Sequence, residues 1–278
     1  MAVDSNPRPV GKLWKVEVPL PADPGRRSAF FLINAQRQRI DSPPLEWDEE
    51  IAAGCRLHAR YCQLNNCGGH EERPGFPGYS EAGERSGKES IVGRTHADCA
   101  RALGEQLRTA FHCASAVSPD LVKTGFAAEG NTFVMNIARG LKKAHRAYQA
   151  HYRGEVSFFW PPHGARDVLT AFNPTGEVPM PLPGRERDWK ARIGQAVFAR
   201  VGGRGAFEIV LRDPAGTPVE GTHTSPPEGI SIDFSPDNHG LVCLAPDGPL
   251  RPKTRYRAEV YEGEGARRLV IAWSFRTR

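Results

Sequence analysis

The residues best placed to do chemistry lie in and just beyond one stretch, Pro43 to Glu81, which reads PPLEWDEEIAAGCRLHARYCQLNNCGGHEERPGFPGYSE. It ends in a polar loop that carries His70 and Glu81. An imidazole and a carboxylate can share a divalent ion or pass a proton. Ser80 beside Glu81 adds a hydroxyl, but nothing in the sequence fixes a base and an orienter around it, so it is no nucleophile site. The six cysteines, Cys55, Cys62, Cys67, Cys99, Cys113 and Cys243, are scattered. Cys62-x4-Cys67 lacks the close pairing of a structural zinc site. Bridges from Cys67 to Cys99 or Cys113, and buried thiols without bridges, both stay open. The run Gly202-Gly203-Arg204-Gly205 sits between β-type segments and reads as a turn, not a phosphate loop.

These residues must be positioned by the elements around them. RRSAFFLINAQRQR, 26–39, carries Phe30, Phe31, Ile33 and Asn34 at helical spacing and stops at Ser42-Pro43-Pro44. A second helix is expected over 48–64, capped by Asp48 and stapled by Trp47 onto Ala52. Its stripe of Ile51, Cys55, His58 and Cys62, flanked by Ala52, Ala59 and Leu64, is rich in small residues and calls for close packing against backbone. His58 there reads as a core histidine. Asn65 to Ser90 holds too much Gly, Pro, Asn and Ser for regular structure, and a loop of that length is usually functional or disordered. A third helix is expected over 96–113 on Cys99, Leu103, Leu107 and Ala110 or Phe111, with His96 near its start. A hairpin follows, with strands near 122–128 and 132–137 around Glu129-Gly130-Asn131. Helices framing strands in this way predict an α/β fold, an α-β-α sandwich.

The rest of the chain reads differently. LWKVEVPL lies in a Pro- and Gly-rich arm, 1–23, and LKKAHRAYQAHYRG, 141–154, is a basic connector. From 155 onward SFFWPP, DVLTAF, QAVFARV, GAFEIVLRD, ISIDF, GLVCLAP, RYRAEVYEG and LVIAWSFRTR are short β-type runs between turns. Their spacing is that of a small all-β sandwich. In the last run Ile271, Trp273 and Phe275 alternate with Val270, Ala272 and Ser274, so one face meets a core.

Composition narrows the function classes. The chain has 278 residues, 39% hydrophobic and 25% charged, with a net charge of +5, and it reads as folded. Acidic and basic residues are interspersed, so nucleic acid is not an expected partner. No apolar run is long enough to cross a bilayer. The first residues lack the basic and apolar regions of a secretory leader, so either the chain stays in the cytoplasm or an export signal has been removed.

LINAQRQR (32–39), PLEWDEEIAAGCRLHARY (44–61), the isolated His70, PGYSEAG (77–83), FHCASAVSPDLVKTGFA (111–127) and TFVMNIA (132–138) occur in an order that resembles the CAP superfamily of cysteine-rich secretory, antigen 5 and pathogenesis-related 1 proteins, in its bacterial, SCP-like form. The resemblance covers about 24–140. There is no GHYTQ-type motif, and Ser80-Glu81-Ala82 stands where the family often has Gly-Glu-Asn. The resemblance implies a cleft in which His70, Glu81 and His112 are metal ligands for a divalent ion such as zinc, lined by Tyr79 and Ser80. The second cleft glutamate has no match, Glu105 being the nearest. Trp47, Asp48 and His58 take structural roles. The second half, with Pro252, Thr254 and Tyr256 in a Pro-x-Thr-x-Tyr turn, is similar to Ig-like β-sandwich modules of bacterial surface proteins.

The expected organisation is an arm (1–23), a CAP-type domain (24–140), a basic linker (141–154) and an Ig-like sandwich (155–278). The expected function is a non-enzymatic interaction protein of the cell surface or exterior, a monomer or weak dimer whose groove takes a protein, lipid or envelope ligand. The alternative is a divalent-metal-dependent hydrolase, such as a protease, with Glu81 as its catalytic carboxylate.

Overall fold

The computed structural model describes residues 19–94, 97–141, 156–173, 192–201, 206–224, 241–263 and 267–278. Residues 1–18 of the arm, nearly all of the basic connector, His96, the Gly202–Gly205 run and ISIDF lie outside them.

Helix α1 spans Pro24–Arg39, with Asp23 accepting from the Arg26 amide and proline in the first turn. Phe30 and Ile33 are buried; Phe31 is exposed. Asn34 fastens α1 to the next segment, since its Oδ1 accepts from the Leu45 amide at 2.7 Å. That segment leads into β1 (Glu46–Trp47), which pairs in parallel with β3 (Lys123–Thr124). Helix α2 spans Glu49–Leu64, and the Asp48 carboxylate accepts from the Ile51 amide. The ring partners of Trp47 are Phe30 and Phe126, both edge-on.

Strands β2 (Ser90–Arg94), β4 (Phe126–Glu129) and β5 (Thr132–Asn136) form an antiparallel sheet in the order β2-β5-β4. Gly130 turns the β4–β5 hairpin at φ +55°, a left-handed backbone that glycine adopts without steric cost. Side chains alternate across the sheet. Ala127 and Val134 pack on Ile51, Cys55 and Ala59 of α2. Ile91, Phe126, Phe133 and Met135 face the other way, into a core with Phe30 and Ile33 of α1 and with Cys99, Ala102 and Leu103 of α4 (Cys99–Gln106). Two helical layers therefore enclose one sheet. The small residues of α2 allow a close approach: a Cβ on Gly125 would stand 2.2 Å from the Ala52 nitrogen, and Cys55 Sγ donates to the Gly125 carbonyl at 3.2 Å.

Two segments depart from the sequence reading. The helix expected over 96–113 is two helices, α4 and α5 (Ala110–Val117). The amides of Arg108 and Thr109 bond three residues back, to Glu105 and Gln106, which tightens and ends the first helix. The region Asn65–Ser90, expected to be irregular, contains α3 (Glu81–Lys88), with Ser80 Oγ accepting from the Gly83 amide.

The second half is β-rich. Strands β6 (Val156–Trp160), β7 (Val197–Val201), β10 (Leu241–Pro246) and β9 (Gly221–Thr224) form one antiparallel sheet in the order β6-β7-β10-β9. Strands β8 (Phe207–Arg212), β11 (Arg255–Glu262) and β12 (Arg268–Arg276) form another, in the order β12-β11-β8. Val197, Ala199, Val242 and Leu244 of the first meet Leu211, Val260, Trp273 and Phe275 of the second in one buried cluster, the arrangement of a sandwich. The opposite face of the first sheet, with Phe158, Trp160 and Phe198, shares a core with Phe111 and Ala114 of α5.

Candidate functional site

The polar segment between α2 and α3 is held in a defined shape. Asn65 Nδ2 donates to the carbonyls of Tyr61 and Pro77, and the Arg73 amide donates to the Tyr61 hydroxyl at 2.9 Å. Beneath it lies a fully buried pair. His58 Nδ1 stands 3.0 Å from Glu72 Oε1, and neither side chain is exposed. His58 Nε2 lies 3.0 Å from the Gly69 carbonyl, and Glu72 Oε2 accepts from the Ser80 amide at 3.0 Å. A carbonyl only accepts, so Nε2 carries a proton. One further proton lies between Nδ1 and the carboxylate, whichever of the two holds it.

Helix α3 rides over this pair on two glycines one turn apart. A Cβ on Gly83 would come within 2.3 Å of Glu72 Oε1, and one on Gly87 within 2.4 Å of His58 Cε1. The partnership of His58 and Glu72 has no signature in the sequence. The readable signal was the cap of α3: serine at 80 followed by glutamates at 81 and 84 is a helix-start pattern.

His70 is exposed and its Nδ1 donates to the Gly87 carbonyl at 3.0 Å, at the C-terminal end of α3. Glu81 is exposed at the N-terminal end of that helix. Glu81 and Gly87 are six positions apart, about 9 Å along the axis. Tyr79 is half-buried and its hydroxyl approaches Glu84 at 3.5 Å; burial and then the Glu84 and Glu81 charges push its phenol up.

His112 sits on α5. Thr109 Oγ1 donates its proton to the Gln106 carbonyl at 2.9 Å, so it accepts from His112 Nδ1–H at 3.0 Å. The neutral His112 ring therefore keeps its lone pair on Nε2. Burial, and then the nearby His70, hold the His112 pKa down at about 4. The charge of His70 is thus felt at His112, each ring has its Nδ1–H fixed by an oxygen, and Glu81 lies at the opposite end of α3 from the carbonyl that holds His70. Among the described residues no group of three His, Cys, Asp or Glu side chains is arranged to hold a metal ion.

The thiols take no part in such a set. Cys67 lies beside Cys62, its amide donating to the Cys62 carbonyl at 3.0 Å, whereas Cys99 and Cys113 belong to the core on the opposite face of the sheet. That separation rules out the Cys67–Cys99 and Cys67–Cys113 bridges. Burial pushes the Cys55 and Cys99 thiols up to about 11, so both are inert at neutral pH.

No helix among the described residues is long and apolar enough to cross a membrane. No curated protein matches the chain. Among solved structures, an extracellular protein containing a SCP domain from Bacillus anthracis str. Ames is similar, with 21% identity and a TM-score of 0.35, over 44% of this chain and 45% of that one. The chain thus spans under half of that protein's length. A family model described as "CAP: Cysteine-rich secretory protein family" matches residues 30–137. Residues 30–137 are accordingly a CAP-type region, and a β-rich region follows it.

Proposed function

We propose that this chain is a non-enzymatic interaction protein of the cell exterior or envelope. In this reading residues 24–140 form a CAP-type binding domain. An Ig-like sandwich, 155–278, serves as spacer or second recognition face, and the arm and basic linker flank the first domain. The location rests on the secretory description of the matched family model. The observation that carries the reading is the segment between α2 and α3. It is fixed from beneath by the buried His58–Glu72 pair and presents Phe76, 49% exposed, beside Leu64 at the end of α2, 53% exposed. The Pro77 carbonyl bonded to Asn65 holds the two residues on neighbouring backbone. A preformed surface with exposed apolar anchors favours association, because little ordering entropy is lost on binding. The partner is a protein, a lipid or envelope material.

Three of the polar groups near this segment have structural partners, while Glu81 stays exposed at the start of α3. Ser80 caps α3, His70 holds the Gly87 carbonyl and His112 holds Thr109. One observation favours a second reading, in which His70 and His112 bind a divalent ion. Both rings have Nδ1–H fixed by an oxygen, the pattern by which metal-ligating imidazoles are oriented.

The test is a pair of measurements on the full chain. The double variant Leu64→Ser, Phe76→Ser is expected to lose adhesion to cell-envelope preparations while keeping its fold by circular dichroism. Elemental analysis and zinc titration of the parent, His70→Ala and His112→Ala separate the readings. Stoichiometric zinc lost in both variants would establish the metal site, and turnover of a substrate that disappears with Glu81→Gln while the fold persists would overturn the non-enzymatic reading.

A further inference from the structure

The outer face of the β12-β11-β8 sheet carries an open basin of about 480 Å³, lined by Arg212, Arg255, Arg257, His163 and Ser274 and closed at one end by the Asp213–Gly216 turn. Its volume lies in the range of small-ligand sites. Arg255 and Arg257 are two apart on β11 and so share a face. Arg257 stands directly opposite Arg212 on β8 and opposite Ser274 on β12.

Like charges directly opposite one another on a sheet repel. Here one carboxylate serves both: Arg212 Nε and Arg257 Nε donate to the two oxygens of Glu259, at 2.7 and 2.8 Å. The Glu259 carboxylate also accepts from the Tyr261 hydroxyl at 2.8 Å. The other acid in the basin, Asp213, is taken by Arg251 and by the Ala215 and Thr217 amides. Among the described residues Arg255 donates only to Ser274 Oγ, at 2.9 Å, and the Nη groups of Arg257 make no hydrogen bond. Positive charge therefore exceeds negative charge in the basin, and guanidinium N–H groups are left over.

His163 adds a donor. The Ser274 amide donates to its Nδ1 at 3.3 Å, which puts the ring proton on Nε2. Small side chains on β12, Ala272 and Ser274, leave the space that longer ones would fill.

We propose that this basin is a binding site for a small oxyanion, a phosphate or carboxylate group, gripped by Arg255 and Arg257 with His163 at its edge. The guanidinium fork suits both anions, which offer it two oxygens in one plane. Arg212 and Glu259 position Arg257 and do not themselves take the ligand. The site is independent of the CAP-type region and adds a second recognition function to the chain.

Equilibrium dialysis of the full chain at low salt, against inorganic phosphate in one arm and glucuronate in the other, tests this. Saturable one-to-one binding of either is expected, and the arm that saturates identifies the anion. Arg255→Gln should weaken it at least about tenfold, with unchanged circular dichroism and Tm. Arg56→Gln, which removes the same charge from α2, should leave it unchanged. Binding of neither anion, binding undiminished in Arg255→Gln, or an equal loss in Arg56→Gln would overturn the proposal.

Discussion

Arg200 Nη1 on β7 lies 2.7 Å from Asp120 Oδ2 in the turn after α5, with the two side chains 8% and 2% exposed. The same guanidinium approaches Ser118 Oγ at 3.4 Å, and Arg37 from α1 donates to the Ser118 carbonyl at 2.8 Å. Two arginines from distant parts of the chain thus converge on one turn. The pair sits where the first β-sheet of the second half shares a core with α5. Removing one member of a buried ion pair leaves the other charge desolvated, a loss of about 3–5 kcal/mol. Asp120→Ala is therefore expected to lower the urea midpoint strongly, read by tryptophan fluorescence. A loss below about 1 kcal/mol would mean that water enters this contact.

The His58–Glu72 pair gives a sharper contrast between two variants. Glutamine at 72 can accept from the Ser80 amide with its oxygen and donate its amide proton to a neutral His58 Nδ1. Alanine can do neither, and leaves a buried imidazole nitrogen and a backbone donor unsatisfied, at about 1–3 kcal/mol each. Glu72→Gln should therefore stay close to the parent in Tm. Glu72→Ala should fall well below it and open the 65–80 segment to limited proteolysis. Equal proteolysis of the two variants would show that the pair does not hold the segment.

Helix α3 sets helix propensity against packing. Alanine is favoured over glycine inside a helix by about 1 kcal/mol. At Gly83 and Gly87, however, the added Cβ meets Glu72 and His58 at 2.3 and 2.4 Å, and overpacking of this kind costs about 1–3 kcal/mol or more. Gly83→Ala and Gly87→Ala are expected to destabilise. Gly104 in α4 meets nothing within 4 Å, so Gly104→Ala should stabilise by up to about 1 kcal/mol. Opposite signs in thermal melts check the assignment, and stabilisation at all three positions would remove the close approach of α3.

The same glycines show where sequence reading ended. Helix α2 is legible because Asp48 and the Ile51-to-Cys62 stripe are local signals, and the hairpin at Gly130 and most strands of the second half are legible for the same reason. Helix α3 carries a start signal at Ser80 but its body is not legible, since Gly83 and Gly87 weaken its propensity for a tertiary reason, the room needed by side chains of α2 and the loop. Arg37 is similar. Within QRQR it looks solvent-facing, yet it is wholly buried and donates to the carbonyls of Pro43, Ala116, Ser118 and Leu121. Three of those acceptors arrive from about 80 residues away in sequence, and no periodicity reports them. The candidate site divides in the same way: His70, Glu81 and His112 are named by resemblance alone, whereas the placement of His70 relative to Glu81 depends on the length of α3.

His112 makes stability depend on pH in a stated direction. Its folded pKa, about 4, lies below the ordinary 6.5 because burial and then His70 disfavour the charged ring. Between those values the unfolded chain binds more protons than the folded one, so stability rises with pH across that window and is lost as pH falls through it. The full swing is about 3 kcal/mol. Carboxylates such as Asp48 and Glu259, whose pKa values are held down by hydrogen bonds from Lys123 and Arg212 despite partial burial, add their own loss in acid. The contribution of His112 is therefore read as a difference between two proteins. His112→Gln carries no titrating ring, so the gap in unfolding free energy between parent and variant should shift by about 2–3 kcal/mol toward the variant from pH 7 to pH 4.5. A gap that stays constant across that range would mean that neither partial burial nor the His70 charge disfavours the protonated ring.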